Sequence, residues 1–171
     1  NRSYLFISNH RDIAGDSMLL NYALFLSGFE TVRIAVGDNL VQRQFATDLM
    51  KLNKSFFIRR SVEGTRKLYK ALMLSSEYIR TSLYEGSSVW IAQSGGRAKN
   101  GIDKTDPAVI KMLTLFERKR DFAESINAMN TVPVSLSYEF DPCDEMKACE
   151  LTSIVQTGSY EKTNGEDLVS L

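Results

Sequence analysis

Apolar and polar positions alternate along this chain in two rhythms, a short one of strands and a longer one of helices. Tyr4 to Ser8 is a brief apolar run closed by polar residues, the pattern of a buried strand. Ser17 to Leu26 is apolar on nearly all sides, which predicts a helix buried all round, ended by Gly28. Thr31 to Val36 reads as a second strand stopped by Gly37 and Asp38, and Val41 to Leu52 as a helix. Ser55 to Ile58 is a third strand, followed at once by Arg59 and Arg60. Thr65 to Tyr84 carries Leu68, Leu72, Ile79 and Leu83 on one side, which predicts a long helix with Gly86 as its stop. Ser88 to Ala92 is a fourth strand, and the polar, glycine-bearing loop Gln93 to Thr105 follows it. Asp106-Pro107 supplies an N-cap and first-turn pair for a helix predicted to run to about Met129. Val132, Val134, Leu136 and Tyr138 alternate with polar or small residues as a fifth strand. A last helix is expected from about Asp144, and the polar tail from Gly158 is expected to be loosely held.

This alternation predicts an α/β fold, a mostly parallel central sheet flanked by helices, as a single domain over residues 1–171. The length suits one domain with a proper core. The chain opens on Asn1 rather than Met, so it is expected to be a piece of a longer protein, and no signal peptide is expected in it. Acidic and basic residues balance at 21 each, which removes any compositional argument for nucleic acid as a partner. The longest apolar stretch, Met18 to Phe29, is interrupted by Asn21 and Ser27 and falls short of the roughly 20 residues a membrane span needs. Membrane contact is therefore expected to be peripheral. Met112, Leu115 and Phe116 beside Glu117-Arg118-Lys119-Arg120-Asp121 are a candidate surface for it, with a core-facing stripe as the alternative. Cys143 and Cys149 lack metal-ligand spacing and read as free thiols; no metal site is expected.

Open parallel sheets gather chemistry just beyond the carboxyl ends of their strands. Three polar clusters lie at such ends: Asn9-His10-Arg11, Arg59-Arg60, and Ser94 to Lys99. His10 is the only histidine. Its imidazole can take a proton from an alcohol near neutral pH, and an adjacent carboxylate would fix its tautomer. Asp12 and Asp16 are both candidates; Asp16 requires a turn, which Gly15 permits. The competing possibility is a surface histidine beside an aspartate that caps the next helix. Arg59 and Arg60 point to opposite faces of an extended strand, so one of them is expected at the site, where a guanidinium suits bidentate contact with phosphate. The loop "QSGGRAKNG" offers backbone amides with Arg97 and Lys99 to an anion, although it lacks the P-loop spacing.

Taken in order, "NHRD…D", "FFIRR", "GGRAKNG" and "VPVSLSYE" resemble the four motif blocks of the glycerolipid acyltransferases, and most of all the glycerol-3-phosphate acyltransferase branch. The resemblance spans about Tyr4 to Glu139. It implies an acyltransferase-like fold. It also implies an enzyme that moves a fatty acyl group from acyl-CoA or acyl-carrier protein to a hydroxyl of glycerol-3-phosphate, without a cofactor. Such an enzyme would act at the cytoplasmic face of a membrane, as a peripheral protein, or in the cytoplasm. By position, the resemblance makes His10 the catalytic base and Asp16 its partner, with Asp12 as the alternative partner. Arg59 and Arg97 would hold the acceptor phosphate, supported by Arg60, Gly96 and Lys99, and Pro133 would shape the acyl side. The chain departs from the blocks in three places. Five residues, not four, separate His10 from Asp16; the third block lacks its glutamate; and Lys54 stands where the second block often has glycine. A lysophospholipid such as lysophosphatidate, or another lipid alcohol, is the alternative acceptor. A non-catalytic lipid- or phosphate-binding relative is the remaining alternative.

Overall fold

The computed structural model describes residues 2–40, 44–163 and 165–166. Five short strands form one all-parallel sheet: β1 (Leu5–Ser8), β2 (Arg33–Gly37), β3 (Ser55–Ile58), β4 (Val89–Ala92) and β5 (Thr131–Val134), in the order β3-β2-β4-β1-β5. Among the described residues six α-helices flank it: α1 (Gly15–Leu26), α2 (Gln44–Leu52), α3 (Thr65–Tyr84), α4 (Pro107–Leu113), α5 (Phe122–Ala128) and α6 (Asp144–Thr157). The steps from β1 to β2 and from β2 to β3 run toward one edge of the sheet, and the later steps run toward the other. Right-handed crossovers therefore put α1 and α2 on one face and α3, α4 and α5 on the opposite face.

Strand alternation divides the core between these faces. Phe6, Ile34, Val36 and Trp90 meet Leu20 and Leu24 of α1. Leu5, Ile7, Ala35 and Ile91 meet Ile79 and Leu83 of α3 and Met112 and Leu113 of α4. Each large apolar side chain buried in this way contributes about 1.5–3 kcal/mol. β1 lies between β4 and β5, with Ser8 level with Ala92 and Val134. The loops after β1 and β4 thus leave the sheet side by side. Two bonds lock their origin: Trp90 Nε1 donates to Ser8 Oγ at 3.0 Å, and the Gln93 amide donates to the Ser8 carbonyl at 2.7 Å.

Several expectations change. α1 is not buried all round: Ser17, Leu20 and Asn21 turn inward, while Met18, Leu19, Tyr22, Phe25 and Leu26 are exposed. The polar residues of this helix lie mostly on the inner side and apolar ones fill the outer side, the reverse of the usual pattern. The helix expected from Asp106 to Met129 is two helices. α4 stops at Leu113, and Asp121 caps a new start by accepting from the Glu124 amide at 3.1 Å. Within the break, Glu117 pairs with the buried Arg80 of α3 at 2.6 Å. β5 ends at Val134, although the chain beyond it reaches the site through Leu136 and Tyr138. Met112 belongs to the core, so the stripe beside "ERKRD" faces inward at that residue. Residues 41–43 of the expected second helix, and residues 164 and 167–171 of the tail, lie outside the described residues. Among the described residues, no helix is long and apolar enough to cross a membrane.

Candidate active site

His10 leaves the carboxyl end of β1, and Asp16 sits in the first turn of α1. The turn between them brings His10 Nδ1 to 2.9 Å from Asp16 Oδ2. That same oxygen accepts the amides of Arg11 (2.8 Å) and Asp12 (3.1 Å), and Oδ1 accepts the Tyr138 hydroxyl at 2.8 Å. Asp16 is fully buried. Burial by itself would raise its pKa, but the bonds from His10, Tyr138 and the Arg11 and Asp12 amides outweigh that and hold it below the ordinary aspartate value. Asp12 does different work. Its Oδ1 accepts the amides of Ala14 (3.1 Å) and Gly15 (2.6 Å), so it shapes the turn that starts α1. A Cβ on Gly15 would meet both Asp12 Oδ1 and the Tyr138 hydroxyl at 3.0 Å, which is why this position suits glycine.

Neighbouring loops hold the histidine in place. The Asn9 side chain pairs with Leu136 as a strand backbone would, accepting its amide and donating to its carbonyl, both at 2.8 Å. The Ala98 amide donates to the His10 carbonyl at 2.8 Å, tying in the glycine loop. With Nδ1 engaged by Asp16, Nε2 is the nitrogen left for chemistry. Two cavities meet at His10. The first, about 310 Å³, has an apolar interior of Ile58, Leu68, Leu72, Ile91, Val109 and Met112, with Arg60 and Arg97 among its polar lining. The second, about 260 Å³, is lined by Arg97, Lys99, Lys104 and the glycine-loop backbone, with Leu151 of α6.

Arg60 is the arginine that reaches the site. Its guanidinium donates to the Gly95 carbonyl at 2.9 Å and to Asn39 Oδ1 at 3.2 Å. A Cβ at Gly37 or at Gly95 would collide with that guanidinium, so two glycines clear its seat.

A family model described as Acyltransferase matches residues 1–138, four-fifths of the chain by these bounds. The chain belongs to the acyltransferase family. No curated protein sequence matches it. The acyltransferase therefore handles an acyl donor and an acceptor for its acyl group.

In this acyltransferase the expected site residues divide. His10, Asp16, Arg60, Gly96, Arg97 and Lys99 gather at one rim of the sheet. Arg59, expected to hold phosphate, lines neither cavity, whereas its equally exposed neighbour Arg60 lines the first. Pro133, expected at the acyl side, is exposed on the edge strand β5 and lines neither cavity; an edge position tolerates its missing amide hydrogen. The acyltransferase also brings in residues that sequence reasoning missed. Tyr138 braces Asp16, burial and the Asp16 carboxylate both pushing its hydroxyl pKa far above the usual value. Lys162 lines the first cavity from the tail. Only the alternation that ends on Tyr138 hinted at the former, and no spacing signal points to the latter.

Proposed function

We propose that this acyltransferase moves a fatty acyl group from acyl-CoA or acyl-carrier protein to a hydroxyl of glycerol-3-phosphate. The observation that carries the proposal is the position of His10, braced by buried Asp16, where an apolar cavity meets a rim of guanidinium groups. The apolar interior suits an acyl chain, and Arg60 with Arg97 suits an acceptor phosphate. In the proposed step His10 Nε2 takes the proton of the acceptor hydroxyl as its oxygen bonds to the thioester carbon. Asp16 stabilises the imidazolium that results. The carbon–sulfur bond then breaks, and the proton passes from His10 to the departing thiolate, so the products are an ester and a free thiol. Two arginines holding the phosphate supply orientation, which lowers the barrier before any bond changes. The test is thiol release from an acyl-CoA with a panel of acceptors. Release with glycerol-3-phosphate, and far less with glycerol at equal concentration, supports the proposal. Release with lysophosphatidate alone assigns a different acceptor.

The acyltransferase is further proposed to meet a lipid surface through α1. Tyr22 is 60% exposed and Phe25 67%, beside exposed Met18, Leu19 and Leu26. The helix carries one charge, Asp16, and that is turned into the site. A face without charge fits the acyl region of a bilayer, where charges are costly. The same helix starts at the catalytic dyad, so the proposed contact surface is continuous with the site that would receive lipid.

A further inference from the structure

α6 lies beyond the 1–138 span of the family match. Ordinary helices dock through an apolar stripe. The buried residues of α6 are instead Lys147 and Glu150, three apart on one face. Both reach the loops of the active site. Lys147 Nζ donates to the Arg11 carbonyl at 2.8 Å and pairs with Asp141. Glu150 accepts from Lys99 Nζ in the glycine loop. Leu151, the next residue along, closes the second cavity beside His10. Lys99 therefore stands at the anion-friendly rim with a counter-ion already on it.

We propose that Glu150 is a specificity-determining residue: by pairing with Lys99 it neutralises one cation of the rim, so that an anionic acceptor is held by Arg60 and Arg97 and must compete with Glu150 for Lys99. The inference rests on the assignment of an anionic acceptor to this rim. It sets the affinity for the phosphate, because any gain from Lys99 is reduced by breaking the pair. It also makes the docking of α6 electrostatic, since its two buried contacts are both charged.

The test is equilibrium binding of inorganic phosphate to the whole chain by titration calorimetry. It compares wild type, Glu150→Gln, and the double variant Lys99→Met with Glu150→Gln. Glu150→Gln is expected to bind phosphate about tenfold more tightly, the effect of one uncompensated cation about 6 Å from the anion at an effective dielectric near about 40. The double variant is expected to lose that gain, because the cation that Glu150 screens is gone. A gain below about twofold or a loss in Glu150→Gln overturns the proposal, as does a double variant that binds phosphate as tightly as Glu150→Gln. If Glu150→Gln fails to fold, Lys99→Met alone is measured: it bares the Glu150 carboxylate and should bind phosphate about tenfold more weakly, and unchanged binding overturns the proposal. None of these measurements uses turnover. Absence of thiol release with every phosphate-bearing acceptor would sink acyl transfer to glycerol phosphate and would leave this result standing.

Discussion

Replacing Tyr138 with Phe removes one oxygen and with it the hydrogen bond on Asp16 Oδ1. Asp16 is fully buried, so the lost donor is not freely replaced by solvent. A hydrogen bond to a charged group is worth about 1.5–3 kcal/mol, and that is the expected stability loss near pH 7. The sign of its pH dependence follows from the direction of the Asp16 shift. Burial raises the Asp16 pKa, but its hydrogen bonds lower it further, so the native value lies below the ordinary one. Such a group contributes stability that is present above its unfolded pKa of about 3.9 and is lost as pH falls through the native pKa. Tyr138→Phe moves the native pKa back up. The difference between wild type and variant is therefore largest at neutral pH and narrows toward about 1 kcal/mol, the worth of a neutral hydrogen bond, as pH falls through the lowered native pKa of Asp16. Urea unfolding followed by circular dichroism between these limits measures it. A loss below about 0.5 kcal/mol at pH 7, or one that does not change with pH, would refute the bracing of Asp16 by Tyr138.

Other outcomes follow from named contacts. Arg60→Ala should raise the acceptor KM by about 10- to 100-fold, whereas Arg59→Ala should change it less than about twofold; equal effects would contradict the placement of Arg60 at the cavity. Lys54 adopts φ 58°, a left-handed conformation that favours glycine, while its ammonium bonds Thr31 Oγ1 at 2.9 Å. Lys54→Gly should stabilise the fold by about 0.5–1 kcal/mol in thermal unfolding, the relief of strain exceeding the lost surface contact, and a loss of stability would count against it. Tyr22→Glu with Phe25→Glu should weaken co-sedimentation with lipid vesicles by at least about tenfold while leaving the melting temperature nearly unchanged. Wild type that ignores vesicles, or that uses this face to self-associate, would reject the lipid contact.

Much of the fold was legible because strands and amphipathic helices carry periodic signals. Leu68, Leu72, Ile79 and Leu83 marked α3 correctly to both ends, and β3 fell where the apolar run Phe56 to Ile58 put it. The failures have physical reasons. α1 turns polar Asp16, Ser17 and Asn21 inward and apolar Met18, Tyr22 and Phe25 outward, so the rule that apolar residues are buried misleads there. The break between α4 and α5 holds Glu117 against buried Arg80 of α3, a tertiary contact that local pattern does not carry. At the site, the turn through Gly15 made a His10–Asp16 pair possible on the sequence, and the structure adds the four donors that single out Asp16 over Asp12. Strand alternation separated Arg59 from Arg60 without saying which one faces inward. Lys147 and Glu150 sit in a polar helix where charged residues ordinarily signify solvent, and only their partners reveal them as buried contacts with the active-site loops.

The most direct test of the central claim compares thiol release by wild type and His10→Ala with an acyl-CoA donor and glycerol-3-phosphate, after both are shown to be folded at the assay temperature; His10→Ala removes one of the four donors on Asp16 and is expected to melt somewhat lower. His10 is half-buried at the cavity mouth, so its removal should leave the core intact. The account predicts a fall in kcat of at least about a thousandfold, the loss of the general base. Activity in His10→Ala within about tenfold of wild type would contradict it.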